Sequence, residues 1–216
     1  GHWSELPDGR RLWRLPIRAE GAVSIDVYFK RWRLPQGAEL WFSDAKRTLV
    51  HGPYTDAQNP REGGLALPRV PGADAMVELL LPANKRALLT LDLGYVSHGY
   101  RTVADALKSG SCNIDTICPE GDAWRDQIRS VARYTFSRGG SSTECTGQLV
   151  NRGTGDRTPL FLTANHCIDT DAVAATVVVY WKYESPTCRA VNTGDNGSSL
   201  PISLAAASQS GASLLA

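Results

Sequence analysis

The chain reads as an all-β protein in two parts, and three observations lead there. Residues 1–100 alternate short apolar stretches with Pro/Gly turns, the pattern of an antiparallel β-sandwich. The remainder keeps the strand pattern but gathers all five cysteines, Cys112, Cys118, Cys145, Cys167 and Cys188, which sets a compositional boundary near residue 105. Neither helical heptads nor an internal repeat is visible. At 216 residues the length suits one large or two ordinary domains.

In the first part, Arg11–Arg18 is the opening strand. Residues 22–33 alternate, with Val23, Ile25, Val27 and Phe29 on one face. Leu34-Pro-Gln-Gly37 turns into a strand at 39–42, and His51-Gly-Pro53 makes another turn. Val70-Pro-Gly72 precedes a strand at 76–81, and Leu81-Pro-Ala-Asn84 leads into 87–93. Trp13, Trp32 and Trp41 invite a carbohydrate-binding face, but strand aromatics ordinarily pack in or beside a core, and that is the reading preferred. Residues 101–111 form a linker whose Lys108 stands just ahead of Ser109-Gly-Ser111. Exposed connectors of small polar residues are where proteases cut.

The second part, 112–216, begins with the cysteine-bounded loop Cys112-Asn-Ile-Asp-Thr-Ile-Cys118 and a helical turn at 123–128. Strands follow at 128–136, 146–151, 158–162 and 175–183, separated by turns at Gly139-Gly140 and Gly153-Thr-Gly155. Residues 189–209 are rich in Asn, Gly, Ser and Ala, as a long surface loop is.

Net charge is +1, from 23 Lys+Arg against 22 Asp+Glu. Such balance gives no electrostatic reason to expect nucleic acid or an anionic membrane surface as partner. The apolar runs at 75–81 and 174–180 are strand-sized, too short to span a bilayer. The chain opens on Gly1-His2-Trp3 and closes on Leu214-Leu215-Ala216, so both ends are expected to be cut from a longer polypeptide. Clustered cysteines point to an oxidising compartment, and their odd number leaves one thiol free or paired outside the chain. A zinc site using His166 would need close ligand spacing, and no C-x-x-C or H-x-x-x-H pair supplies it. No metal and no cofactor is assigned.

The most informative stretch is Leu160-Phe-Leu-Thr-Ala-Asn-His-Cys167. Its apolar start reads as a buried strand, and His166 falls at the strand's end beside Cys167, which a disulfide can tie to a neighbouring strand. A general base needs such a mount: an imidazole that takes a proton near neutral pH, held by a rigid scaffold.

The second part resembles the bacterial lysyl endopeptidases, a branch of the trypsin-like serine proteases. The matching stretches are S-G-S-C-N-I-D at 109–115, C-P-E-G-D at 118–122, E-C-T-G-Q-L-V-N at 144–151, F-L-T-A-N-H-C at 161–167 and V-V-V-Y-W-K-Y-E-S-P-T-C-R at 177–189. The first part resembles the pro-region of such proteases more loosely, through its position and the H-G-Y-R at 98–101. This resemblance implies a truncated first β-barrel after the sandwich, His166 as catalytic general base, disulfides Cys145–Cys167 and Cys118–Cys188, and Cys112 paired with a missing downstream cysteine. It also implies a secreted, monomeric enzyme acting on protein or peptide substrates, with Lys108–Ser109 suited to self-cleavage by a lysine-specific protease; an enzyme cutting after arginine could equally have Arg101 or Lys108 in its activation segment.

The triad's Asp would follow His166 by about 45 residues, so Asp and Ser are expected beyond Ala216, with 213–216 beginning the strand that leads to the Asp. Asp169, Asp171 and Asp195 are read as solvated surface carboxylates. By itself the fragment is expected to be inactive. The rival reading is a non-catalytic secreted binding or adhesion module with a degenerate protease-like half.

Overall fold

The structure, a computed structural model, describes residues 1–61, 63–100, 110–194, 196 and 207–215. Thirteen strands lie among them. The first part supplies β1 (His2–Glu5), β2 (Arg11–Arg18), β3 (Ser24–Arg33), β4 (Glu39–Asp44), β5 (Val50–Tyr54), β6 (Leu65–Pro71), β7 (Asp74–Leu81) and β8 (Thr90–Gly99). They form a five-stranded sheet in the order β1-β2-β7-β4-β5 and a three-stranded sheet β6-β3-β8. All pairings are antiparallel. The period-two pattern points one face of each sheet inward. Ile25, Val27 and Phe29 of β3 and Leu65, Leu67 and Val70 of β6 meet Leu40 and Phe42 of β4 and Val77, Leu79 and Leu81 of β7 in one core. Burying each such side chain stabilises by about 1.5–3 kcal/mol. Trp32 is inside this core and Trp13 lies against it, as packing aromatics do.

Two expectations for the first part are corrected. His51-Gly-Pro53 is not a turn but the middle of β5. β5 is an edge strand paired only with β4, where a missing N–H is tolerated. Gly52 is required there, because a Cβ would stand 2.6 Å from the Leu40 carbonyl oxygen and φ is +123°. The strand expected at 87–93 starts later, after a 3₁₀ turn at Arg86–Leu88, and runs on to Gly99. β1 and β6 had no sequence signal strong enough to be placed: β1 is short and mostly exposed, and β6 carries two prolines.

The second part forms an open antiparallel sheet in the order β11-β10-β9-β12-β13, from β9 (Val131–Arg138), β10 (Ser141–Val150), β11 (Leu160–Leu162), β12 (Val178–Trp181) and β13 (Ser208–Ser210). This half-barrel encloses Ala132, Tyr134, Phe136, Cys167, Ile168, Ala174, Val177 and Val179. The helical turn at 123–128 is a 3₁₀ segment Pro119–Trp124 running into a helix Arg125–Ser130, so β9 begins at Val131 rather than 128. Residues 175–177 belong to the turn after the helix Asp171–Ala174. The loop expected at 189–209 ends in β13, and Asn196 within it is buried. Residues 213–215 are not a strand.

β12 is apolar on both faces, which explains its unbroken Val177-Val178-Val179-Tyr180 run. Its outward Val178 and Tyr180 are covered by Ala66 and Tyr28 of the first part. Arg69 of β6 fixes this contact. Its N–H donates to Tyr180 Oη at 3.3 Å, and its guanidinium donates to Ser142 Oγ at 3.2 Å. The same guanidinium sits 3.6 Å from Asp26 and 3.8 Å from Glu144. Glu144 in turn pairs with Arg133, which lies 4.6 Å over the ring of Tyr183. Tyr95, half-buried, has its pKa pushed up to about 12 by desolvation.

His51 reports on this junction. Its Nε2 is 3.2 Å from the Arg69 carbonyl oxygen, and burial lowers its pKa from 6.5. Folding therefore sheds protons from His51 below pH 6.5, so its contribution to stability is present above that pH and lost as pH falls through the folded pKa. In urea titrations between pH 7.5 and 5.5 the wild-type midpoint is expected to fall more steeply than that of His51→Gln; parallel slopes would refute this.

Candidate active site

The mount of His166 is built from three strands. β10 pairs with β11 in the register Gln148↔Leu162, Leu149↔Phe161 and Val150↔Leu160. β11 is only three residues long, and beyond Leu162 the chain leaves the sheet in a tight turn closed by Cys167 N–H to Ala164 O at 3.0 Å. Phe161 sits edge-on to Tyr134 and to Trp181, with centroids 5.6 and 5.9 Å apart. This contact requires glycine at 147, since a Cβ there would lie 2.4 Å from the Phe161 ring.

His166 is exposed while Cys167 next to it is buried. Cys167 is bonded to Cys145 of β10, closing a loop with a sequence separation of 22. Chain-entropy estimates give this bridge about 3.4 kcal/mol, and about 4.4 kcal/mol for the second bridge, Cys118–Cys188, which spans 70. Cys112 is exposed and unbonded. The ligand atoms of Cys145, His166 and Cys167 lie within 4.8 Å of one another, but the disulfide consumes both thiolates and leaves the imidazole as the single donor. That set does not fit a metal.

Both ends of the turn are hydrogen-bonded. Thr163 Oγ1 is 2.7 Å from Tyr134 Oη and 3.1 Å from the Thr146 carbonyl oxygen. Burial raises the Tyr134 pKa, so the phenol stays protonated. At the far end Arg138 donates to the Cys167 carbonyl at 3.1 Å and to Asp169 at 2.7 Å.

Asp169 and Asp171 lie at the surface, and each has a partner. Asp169 pairs with Arg138, and Asp171 accepts the Leu214 N–H at 2.9 Å. Asp195 lies outside the described residues, as does the Lys108 and Ser109 bond. The segment after that bond is strongly held. Asn196 Nδ2 donates to the Ser111 and Asn113 carbonyls at 2.9 and 2.7 Å. Arg189 grips Asp115 at 2.6 and 2.8 Å, which holds the Asp115 carboxyl below its ordinary pKa. Tyr134, Arg138 and Asn196 were not singled out from sequence; only Tyr134 carried a signal, its inward place in an alternating strand.

An exposed imidazole at the end of a strand, beside a half-cystine that ties the strand end to its neighbour in an antiparallel half-barrel, is consistent with an all-β, trypsin-like fold. The comparisons with known proteins agree. Residues 107–216 match the family described as "Lysyl endopeptidase, C-terminal domain", and residues 2–100 match "Lysyl endopeptidase N-terminal domain". A curated "Lysyl endopeptidase" of Pseudomonas aeruginosa is 33% identical over 204 residues, covering 86% of this chain and 43% of the relative. The chain belongs to the lysyl endopeptidase family. It spans less than half the length of that relative.

Gly147→Val would drive Phe161 and β11 off the sheet, overpacking that typically costs about 1–3 kcal/mol. Chemical denaturation is expected to register that loss, and a variant as stable as wild type would show that β11 does not need the close approach.

Proposed function

We propose that the chain is part of the precursor of a secreted serine endopeptidase that hydrolyses peptide bonds after lysine. The observation that supports this most is the mount of His166: a solvent-facing imidazole on a turn held at both ends, within a family of lysyl endopeptidases. In this reading His166 takes the proton of a serine hydroxyl as it attacks the substrate carbonyl, then returns it to the leaving amine. The serine and the orienting aspartate are assigned to residues following Ala216, as is the partner of Cys112.

Residues 1–100 take the role of a pro-region, joined by the linker whose bond between Lys108 and Ser109 is the activation site. The two disulfides suit an oxidising, extracellular or periplasmic location. The substrates are proteins and peptides, and the enzyme works as a monomer without nucleic acid, membrane surface or cofactor.

The test is kinetic and uses the full-length gene product. His166→Ala is expected to lower turnover of a peptide with a single lysine by about 10⁴-fold or more. A matched arginine peptide fixes the specificity, and Lys108→Gln is expected to leave the two parts covalently joined. Wild-type turnover in His166→Ala would remove His166 from catalysis. Equal cleavage after arginine and lysine would remove the lysine preference.

A further inference from the structure

One strand, β9, reaches both ends of the turn that carries His166. Tyr134 and Arg138 are four residues apart on it, about 13 Å along an extended chain. Thr163 and Cys167, the residues they hold, are also four apart, with His166 between them. Thr163 has one hydroxyl proton. If it is given to the Thr146 carbonyl oxygen, the phenol must be the donor in the 2.7 Å contact with Thr163. The relay then runs in one direction from a fully buried ring to the β10 backbone. At the other end the Arg138 guanidinium has only donors. It divides them between the carbonyl of Cys167, the residue next to His166, and the carboxylate of Asp169. That ion pair is 41% and 40% exposed, and pairs so exposed contribute little to folding. The same guanidinium's other contact, with the Cys167 carbonyl, engages the peptide between Cys167 and Ile168.

We propose that Tyr134 and Arg138 are positioning residues for His166, acting as a two-point clamp that sets the ring's direction out of the sheet. Neither acts through a hydrogen bond to the ring: the hydroxyl relay fixes where the turn begins, and the guanidinium fixes where it ends. The inference rests on the reading of His166 as general base, and its experiment has two arms so that the two can fail separately.

The first arm uses this chain alone and follows the imidazole NMR signals of its four histidines, His2, His51, His98 and His166. Tyr134→Phe keeps the ring beside Phe136 and Phe161 and deletes only the hydroxyl; Arg138→Gln deletes the charge and the fork. Each is expected to shift or broaden the His166 signals while the other three stay in place, and Arg138→Lys is expected to restore them in large part. The second arm uses the full-length enzyme. Misplacing a reacting group by a fraction of an ångström is expected to lower kcat by about tenfold with KM essentially unchanged, and Arg138→Lys is expected to regain most of the loss. The clamp is overturned by His166 signals that match wild type in both variants, or by wild-type kcat in variants of an enzyme that His166→Ala inactivates. An enzyme that His166→Ala leaves active defeats the general-base reading instead, and the ring signals alone then decide the clamp.

Discussion

The cross-link between Cys145 and Cys167 is the constraint on which the rest of the half-barrel depends. β11 has three residues and one neighbouring strand, so its ladder cannot fix where the chain goes after Leu162. The bridge does so by tying the residue after His166 back to the middle of β10. It also places Cys167 in the core with Tyr134, Phe136 and Ile168. The sulfur is thereby part of the apolar interior while the imidazole one residue earlier faces water. One peptide unit separates a buried sulfur from an exposed imidazole, so a rigid mount holds a side chain that faces water.

The second dependency runs between the two parts. A half-barrel with β12 apolar on both faces cannot stand alone without exposing Val178 and Tyr180, and the sandwich covers them. The cover is selective because it is also charged. Arg69 comes from the sandwich and Glu144 and Arg133 from the half-barrel, and their largely desolvated charges are tolerable only while paired. The covered face involves β12, β13 and the outward side chains of β9 and β10, whereas β11 lies at the opposite edge of the sheet. The sandwich therefore backs the β12 side of the sheet, away from the edge that carries β11.

Much of this was legible in the sequence, for identifiable reasons. Alternation at Ile25, Val27 and Phe29 marked β3, and F-L-T-A-N-H-C marked the strand end, because period and motif are local signals. What escaped was decided by tertiary context. β6 has prolines at 68 and 71 and is tolerated as an edge. His51-Gly52-Pro53 carries turn chemistry yet pairs with β4. Residues 128–130 have strand-like neighbours but complete a helix. The partners of the site were harder still. Nothing in the spacing of Arg138 and Asp169, 31 residues apart, announces that they meet, and the surface position expected of that aspartate says nothing of its partner.

The engagement of those aspartates bears directly on catalysis. A general base of this kind needs a carboxylate to hold its tautomer and stabilise the imidazolium. Asp169 is committed to Arg138, and Asp171 holds the Leu214 N–H at the start of a helix. Among the described residues neither of these two nearby acids is available to orient His166. In the proposed reading, the carboxylate that orients His166 is neither of these two, and the turn that carries the ring is held independently of it, by the Cys145–Cys167 bridge and the contacts of Thr163 and Arg138.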